Sequence, residues 1–172
     1  MHKRHKNIIV CNSSPIINLC NVGLLSLFKS LYGQVIIPNA VFKELTVKGS
    51  GHKHDGLIRS FVDAKILRLK TPHNAELIAL LGKDLDEGES EVIALALELK
   101  ADVVLIDEMD ARDVAGSYNL HITGFIGMLL KAQRLKIIPS ALPYLEKARN
   151  AGFWINEGFF AQIKEQIKEL GK

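Results

Sequence analysis

Three acidic residues, Asp107, Glu108 and Asp110, follow directly on the apolar run Val103-Val104-Leu105-Ile106. A short β-branched run bounded by charge reads as a buried strand, and open α/β sheets place their ligands at the carboxyl ends of such strands. Other oxygen-bearing side chains are candidates for the same edge. Asn12 follows the apolar run Ile8-Ile9-Val10-Cys11, Glu44 lies in a stretch of helical spacing, and Glu89 and Glu91 stand at the acidic entry to an apolar helical run, Val92 to Leu99. Carboxylates that converge without matching bases repel one another, and a divalent cation relieves that repulsion. Hard oxygen ligands favour Mg2+ or Mn2+ over zinc.

Each acid also has a plain structural account. Glu89 and Glu91 suit the positive end of a helix, and Asp107 or Asp110 suits the cap of the helix that follows. Their joint placement is what points to chemistry, and that placement depends on the elements around them.

The spacing predicts a strand over Asn7 to Cys11, then Ser13-Ser14-Pro15 as a helix start, with two short helices between Ile16 and Leu31 broken near Gly23. A second strand follows over Gln34 to Ile37, and Pro38 opens a helix to Thr46. Leu57 to Val62 is helical and Ile66 to Leu69 a strand. Ala75 to Leu81 is helical, Asp102 to Ile106 is the clearest strand, Ala111 to Tyr118 a helix and Leu120 to Thr123 a short strand. Helices over Gly127 to Leu135, Ser140 to Ala151 and Asn156 to Leu170 complete the chain. Strand and helix alternate, so the expected fold is α/β with a largely parallel sheet, and residues 1–172 read as one domain with a helical C-terminal extension.

Composition narrows the class. Hydrophobic residues make up 48% and charged residues 24% of the 172, which predicts a packed domain and excludes disorder. A formal charge of +3 demands no polyanionic partner. The only cysteines, Cys11 and Cys20, suit a reduced interior. With no apolar run of membrane-spanning length and no signal-peptide pattern, the expectation is a cytoplasmic protein. His2 to Lys6 form a basic arm that reads as a solvated terminus.

Other motifs fall away. There is no Walker lysine motif and no G-x-S-x-G elbow, and Gly49-Ser50-Gly51 lacks the strand and helix that a dinucleotide fingerprint needs. His52-Lys53-His54-Asp55 has no second ligand cluster, so zinc is not expected. Phe153-Trp154 and Phe159-Phe160 read as an apolar cluster pinning the last helix to the core, the alternative being an RNA-stacking surface.

Several segments, taken in order, resemble one family. Ile9 to Leu19, Ile37-Pro38 with Val41 and Glu44-Leu45, Gly88 to Ala96, Leu105-Ile106-Asp107 and Ala151 to Ile155 together are similar to the PIN-domain superfamily, in particular its DUF3368-type branch of small VapC-like proteins. The resemblance implies a three-layer α/β/α domain with a central parallel sheet. It also implies a Mg2+- or Mn2+-dependent endoribonuclease of toxin type, working beside a small antitoxin protein. Carried onto this chain, Glu44 is the second acid, Glu89 the third with Glu91 as its rival, and Asp107 the fourth with Asp110 nearby. The first acid is missing, because that position holds Asn12, whose carbonyl can face a cation but brings no charge.

RNA is expected to meet basic side chains such as Lys43, Arg112 and Lys131. The apolar helices at Ile16 to Leu31 and Gly127 to Leu135 predict a homodimer, as the resemblance also does. Two other functions stay open: a non-catalytic PIN-like module that binds RNA or protein, and structure-specific DNA cleavage.

Overall fold

Five short strands set the frame, the central ones apolar and covered on both faces and the edge strands β3 and β5 only partly buried. The computed structural model describes residues 7–47 and 53–171. Along the chain come β1 (Ile9–Cys11), α1 (Ser13–Val22), α2 (Leu27–Tyr32), β2 (Val35–Ile37), α3 (Asn39–Val47), α4 (Asp55–Asp63), β3 (Leu67–Leu69) and α5 (Ala75–Leu81). There follow α6 (Glu87–Leu99), β4 (Val103–Leu105), α7 (Met109–Ser117), β5 (Ile122–Thr123), α8 (Phe125–Arg134), α9 (Leu142–Asn150) and α10 (Glu157–Leu170). The strands form one sheet in the order β3-β2-β1-β4-β5, with every pair parallel. Helices cover both faces, giving the expected three-layer α/β/α sandwich.

This order has a consequence for function. From β1 the chain builds outward through β2 to β3, then returns to place β4 on the other side of β1. The switch point therefore lies between β1 and β4, where the connections leave in opposite directions and open a crevice at the carboxyl ends. Cys11 pairs with Leu105, and the Asn12 amide donates to the Leu105 carbonyl at 2.9 Å, so Asn12 and the residues after Leu105 flank that crevice.

Both central strands are deeply covered. Ile9, Val10, Cys11, Val104 and Leu105 are all buried, which is why they read as continuous rather than alternating apolar runs. The last helix joins the same core through Phe160, Ile163 and Ile167, and the Gln133 side chain donates to the Ile167 carbonyl. Ile16, Leu19, Leu27, Phe28, Phe125, Met128 and Leu129, from α1, α2 and α8, are buried within this one chain. Cys11 and Cys20 are buried free thiols, and among the described residues no helix is long and apolar enough to cross a membrane.

Four helices, α4, α6, α7 and α8, begin earlier than their periodicity suggests, and the starts of α6 and α8 bear on the site. In α6 the acids are not a lead-in but the first turn: Asp86 is the N-cap, its side chain accepts from the Glu89 amide at 2.8 Å, and Glu89 accepts from the Asp86 amide at 3.2 Å. This capping box, with acids at the positive end of the helix, starts the helix at Glu87. In α8 the start moves to Phe125 because Asp107, from another part of the chain, accepts its amide. The basic arm, Gly49-Ser50-Gly51 and His52 lie outside the described residues. His54 is described, and its ring Nε2 meets Asn21 Oδ1 at 3.0 Å.

Candidate active site

The crevice between β1 and β4 is walled by oxygen. Asn12, at the N-cap of α1, is only 2% exposed, yet its side chain caps nothing. Its Nδ2 donates to Glu108 Oε2 at 3.3 Å, and its Oδ1 has no partner. A buried acceptor left unpaired costs about 1–3 kcal/mol, and an N-cap asparagine ordinarily avoids this by accepting a helix amide. Asn12 instead leaves its carbonyl oxygen beside a group of acids.

Those acids come from the second half of α3, from the starts of α6 and α7, and from the end of β4. Glu44, on α3, accepts from the Ser13 hydroxyl at 2.9 Å. Glu89, on the first turn of α6, stands within electrostatic reach of Glu44 and Asp110. Between them Gly88 keeps space open: a Cβ there would meet Glu44 Oε2 at 3.2 Å and Asp86 Oδ1 at 3.5 Å. Glu108, the N-cap residue of α7, accepts from both Asn12 and the Ser14 hydroxyl. Asp110 is exposed on the first turn of α7.

Asp107 is engaged differently. Its Oδ1 accepts from the Phe125 amide at 2.7 Å and its Oδ2 from Asn18 Nδ2 at 2.9 Å, while the positive charge of Arg112 lies nearby. Arg112 Nη1 is itself held by the Ile106 carbonyl at 2.7 Å. Gly124 makes this packing feasible, because a Cβ there would press on Asp107 Oδ1 and sit 3.0 Å from the Ile106 carbonyl oxygen. Asp107 thus caps α8 and ties it to α1.

The structure therefore brings Asn12, Glu44, Glu89, Asp107 and Asp110 to one edge. Glu91 turns elsewhere and accepts from the Ala40 amide at the start of α3, at 3.1 Å. Lys43 is exposed beside Glu44 on α3, and Arg112 lies next to Asp107. Lys131 is not with the acids. Its Nζ lies 4.7 Å from the centre of the Tyr32 ring, in a separate groove of about 480 Å³ that also contains Val103 and His121 near the amino ends of β4 and β5. Glu108 is the acid that sequence reasoning noted but left without a role.

The aromatic pair divides. Phe153 packs edge-on against Phe125, with ring centroids 5.3 Å apart, and Phe160 is buried. Trp154, by contrast, is 82% exposed and Phe159 is 45% exposed. Both line a groove of about 740 Å³ that begins at Asp107 and Arg112.

Burial dominates the electrostatics. It pushes the carboxyls of Glu89, Asp107 and Glu108 above the usual carboxylate range. For Glu108 a bond from its own backbone opposes the rise, and the charges of Asp107 and Glu89 add to it. For Glu89 the Asp86 amide opposes the rise, while Asp86, Asp110 and Glu44 reinforce it. In the window between the ordinary and the raised value, the folded state binds more protons than the unfolded chain, so stability falls as pH rises and returns on acidification. In EDTA, wild-type Tm should therefore gain more on acidification through this window than that of Glu108→Gln, which lacks one such group. Parallel Tm–pH curves would contradict this reading.

Among the described residues no three His, Cys, Asp or Glu side chains form a ready-made ion cage. Protein donors hold the acids apart: Ser13 on Glu44, Asp86 on Glu89, Ser14 on Glu108. The donor set nevertheless fits a hard divalent ion, being all oxygen, with an unpaired buried Asn12 Oδ1 and a glycine-opened gap beside Glu44.

An all-parallel α/β/α sandwich with its acids gathered at the switch point defines the class of domain. A family model described as a PIN domain, DUF3368, matches residues 8–169, and the chain belongs to that family. None of the curated proteins compared with it matches. The PIN domain is a nuclease-type fold whose members generally use divalent metal ions and bind RNA.

Proposed function

We propose that this chain is a Mg2+- or Mn2+-dependent endoribonuclease of the toxin type, acting at the β1–β4 crevice of what we read as one domain over residues 1–172. The observation that carries the reading is the buried, unpartnered Oδ1 of Asn12 amid Glu44, Glu89 and Glu108. A divalent ion bound there supplies activation of water and neutralisation of charge on the phosphate. Glu44 and Glu89, with Asp110 at the rim, hold that ion's side of the crevice, and Asp107 fixes the α8 side. Lys43 and Arg112 offer positive charge to the RNA backbone on either flank.

The groove beside Asp107 gives the bases somewhere to lie. Trp154 and Phe159 offer aromatic faces, and stacking on such a face contributes about 1–3 kcal/mol per base. Trp154→Ala should weaken binding of single-stranded RNA by about tenfold with little change in Tm, since the indole is exposed. Equal RNA affinity for wild type and variant in a fluorescence titration would remove the groove from the account.

A small antitoxin protein and a second copy of the chain are the partners that the toxin reading brings. The second reading is a non-catalytic RNA- or protein-binding module, favoured by the uncharged Asn12 alone. Incubation of labelled single-stranded RNA, duplex RNA and single-stranded DNA with Mn2+ or EDTA separates the readings. The nuclease reading expects internal cuts in single-stranded RNA that EDTA stops. RNA bound but left whole favours the module, and cleavage of DNA alone favours structure-specific DNA chemistry.

A further inference from the structure

The two consecutive acids after β4 turn in different directions. Asp107 has a protein N–H donor on each oxygen and Arg112 beside it, and its bonds run to the first turn of α8 and to α1. Its charge is directed into the fold. Glu108 has neutral donors on both oxygens and no cation beside it: Oε1 accepts from the Ser14 hydroxyl and Oε2 from the amide of Asn12, the side chain that carries the unpartnered buried Oδ1, and the Glu89 charge lies within reach. A carboxylate and the amide bonded to it, whose own oxygen is unused, therefore share the switch point.

We infer that Glu108 supplies, from the end of β4, the metal-facing carboxylate that position 12 lacks at the end of β1, and that Asp107 is a positioning residue that seats α8. The inference rests on the divalent-ion reading of the crevice. It explains why Asn12 is turned as it is: its Nδ2 holds Glu108 in place and its Oδ1 is left for the ion. An aspartate at position 12 would have no N–H to offer and would face Glu108 as a like charge. Asn12 and Glu108 thus form a complementary pair, one donor and one charge, in place of a single acid on β1.

A reciprocal exchange tests the pair. Mn2+ binding is read by the electron paramagnetic resonance signal of the free ion, with Tm in EDTA as the measure of fold. Glu108→Gln should weaken Mn2+ binding by about 10–100-fold without lowering Tm. Asp107→Asn should lower Tm while leaving Mn2+ affinity within about threefold of wild type, because the α8 cap is lost and the ion-facing acid is kept. The double variant Asn12→Asp with Glu108→Gln returns the carboxylate to β1 and the amide donor to β4, and it should recover most of the lost affinity.

Wild-type Mn2+ affinity in Glu108→Gln overturns the inference. So does a double variant that binds no better than Glu108→Gln, or a wild-type chain that binds no Mn2+. A chain that follows the expected binding pattern yet leaves RNA whole upholds the inference and refutes the nuclease reading. A chain that cuts RNA with Mn2+ while Glu108→Gln binds and cuts normally does the reverse.

Discussion

Glu44→Gln should slow Mn2+-dependent cleavage of single-stranded RNA by about 10²–10³-fold, the usual cost of losing one well-placed electrostatic contact in a transition state. The exchange keeps the shape of the side chain and leaves an oxygen for the Ser13 hydroxyl, so the contact to α1 survives. It removes one negative charge that faces Glu89 across the gap at Gly88. Without metal, stability should hold or rise slightly, because one like-charge repulsion is gone. Activity and stability are therefore expected to move apart, which separates a lost ligand from a damaged fold. Single-turnover cleavage of end-labelled RNA, with Tm in EDTA, checks both, and a rate within threefold of wild type would exclude Glu44 from the site.

Asn12→Asp should change metal binding and metal-free stability in opposite directions. An added carboxylate at the switch point should tighten Mn2+ binding by about tenfold, or about 1.4 kcal/mol. In EDTA the same side chain loses its N–H to Glu108 and faces it as a like charge. The lost bond costs about 1 kcal/mol, which for a domain of this size lowers Tm by about 2–4 °C. Saturating Mn2+ should reverse that loss. Melting curves with and without Mn2+ read both effects, and a variant that is more stable than wild type in EDTA would contradict the contact with Glu108.

The frame of the molecule is legible in its sequence because the central strands are covered on both faces. Runs such as Ile9-Val10-Cys11 and Val103-Val104-Leu105 have no competing alternation, and the acids or turn residues after them mark their ends. The parallel sheet and the edge holding Asn12, Glu44, Glu89 and Asp107 follow from that pattern. What stays hidden depends on contacts between distant segments. Glu89 and Glu91 lie two positions apart on a helix of 3.6 residues per turn, so they point to different sides, and only the packing of α6 on α3 shows that Glu91 turns to Ala40.

Asp107 and Glu108 present a similar problem after the strand has ended. The regular alternation of side chains stops at Leu105, so adjacent acids cannot be assigned a direction by counting. Asp107 turns toward the start of α8, 18 residues later in the chain, and Glu108 toward Asn12, 96 residues earlier. The same holds for Phe153 and Trp154: both look like core residues by type, but only the first faces Phe125. Residue type suggested the chemistry, and tertiary contact assigned the partners.

The most direct test of the account is a Mn2+ titration of the wild-type chain in which bound ion and internal cleavage of single-stranded RNA are measured on the same samples. Cleavage should rise in proportion to the bound fraction, and excess EDTA should abolish it. Stoichiometric Mn2+ binding with intact RNA, or cleavage that persists in EDTA, would contradict this expectation.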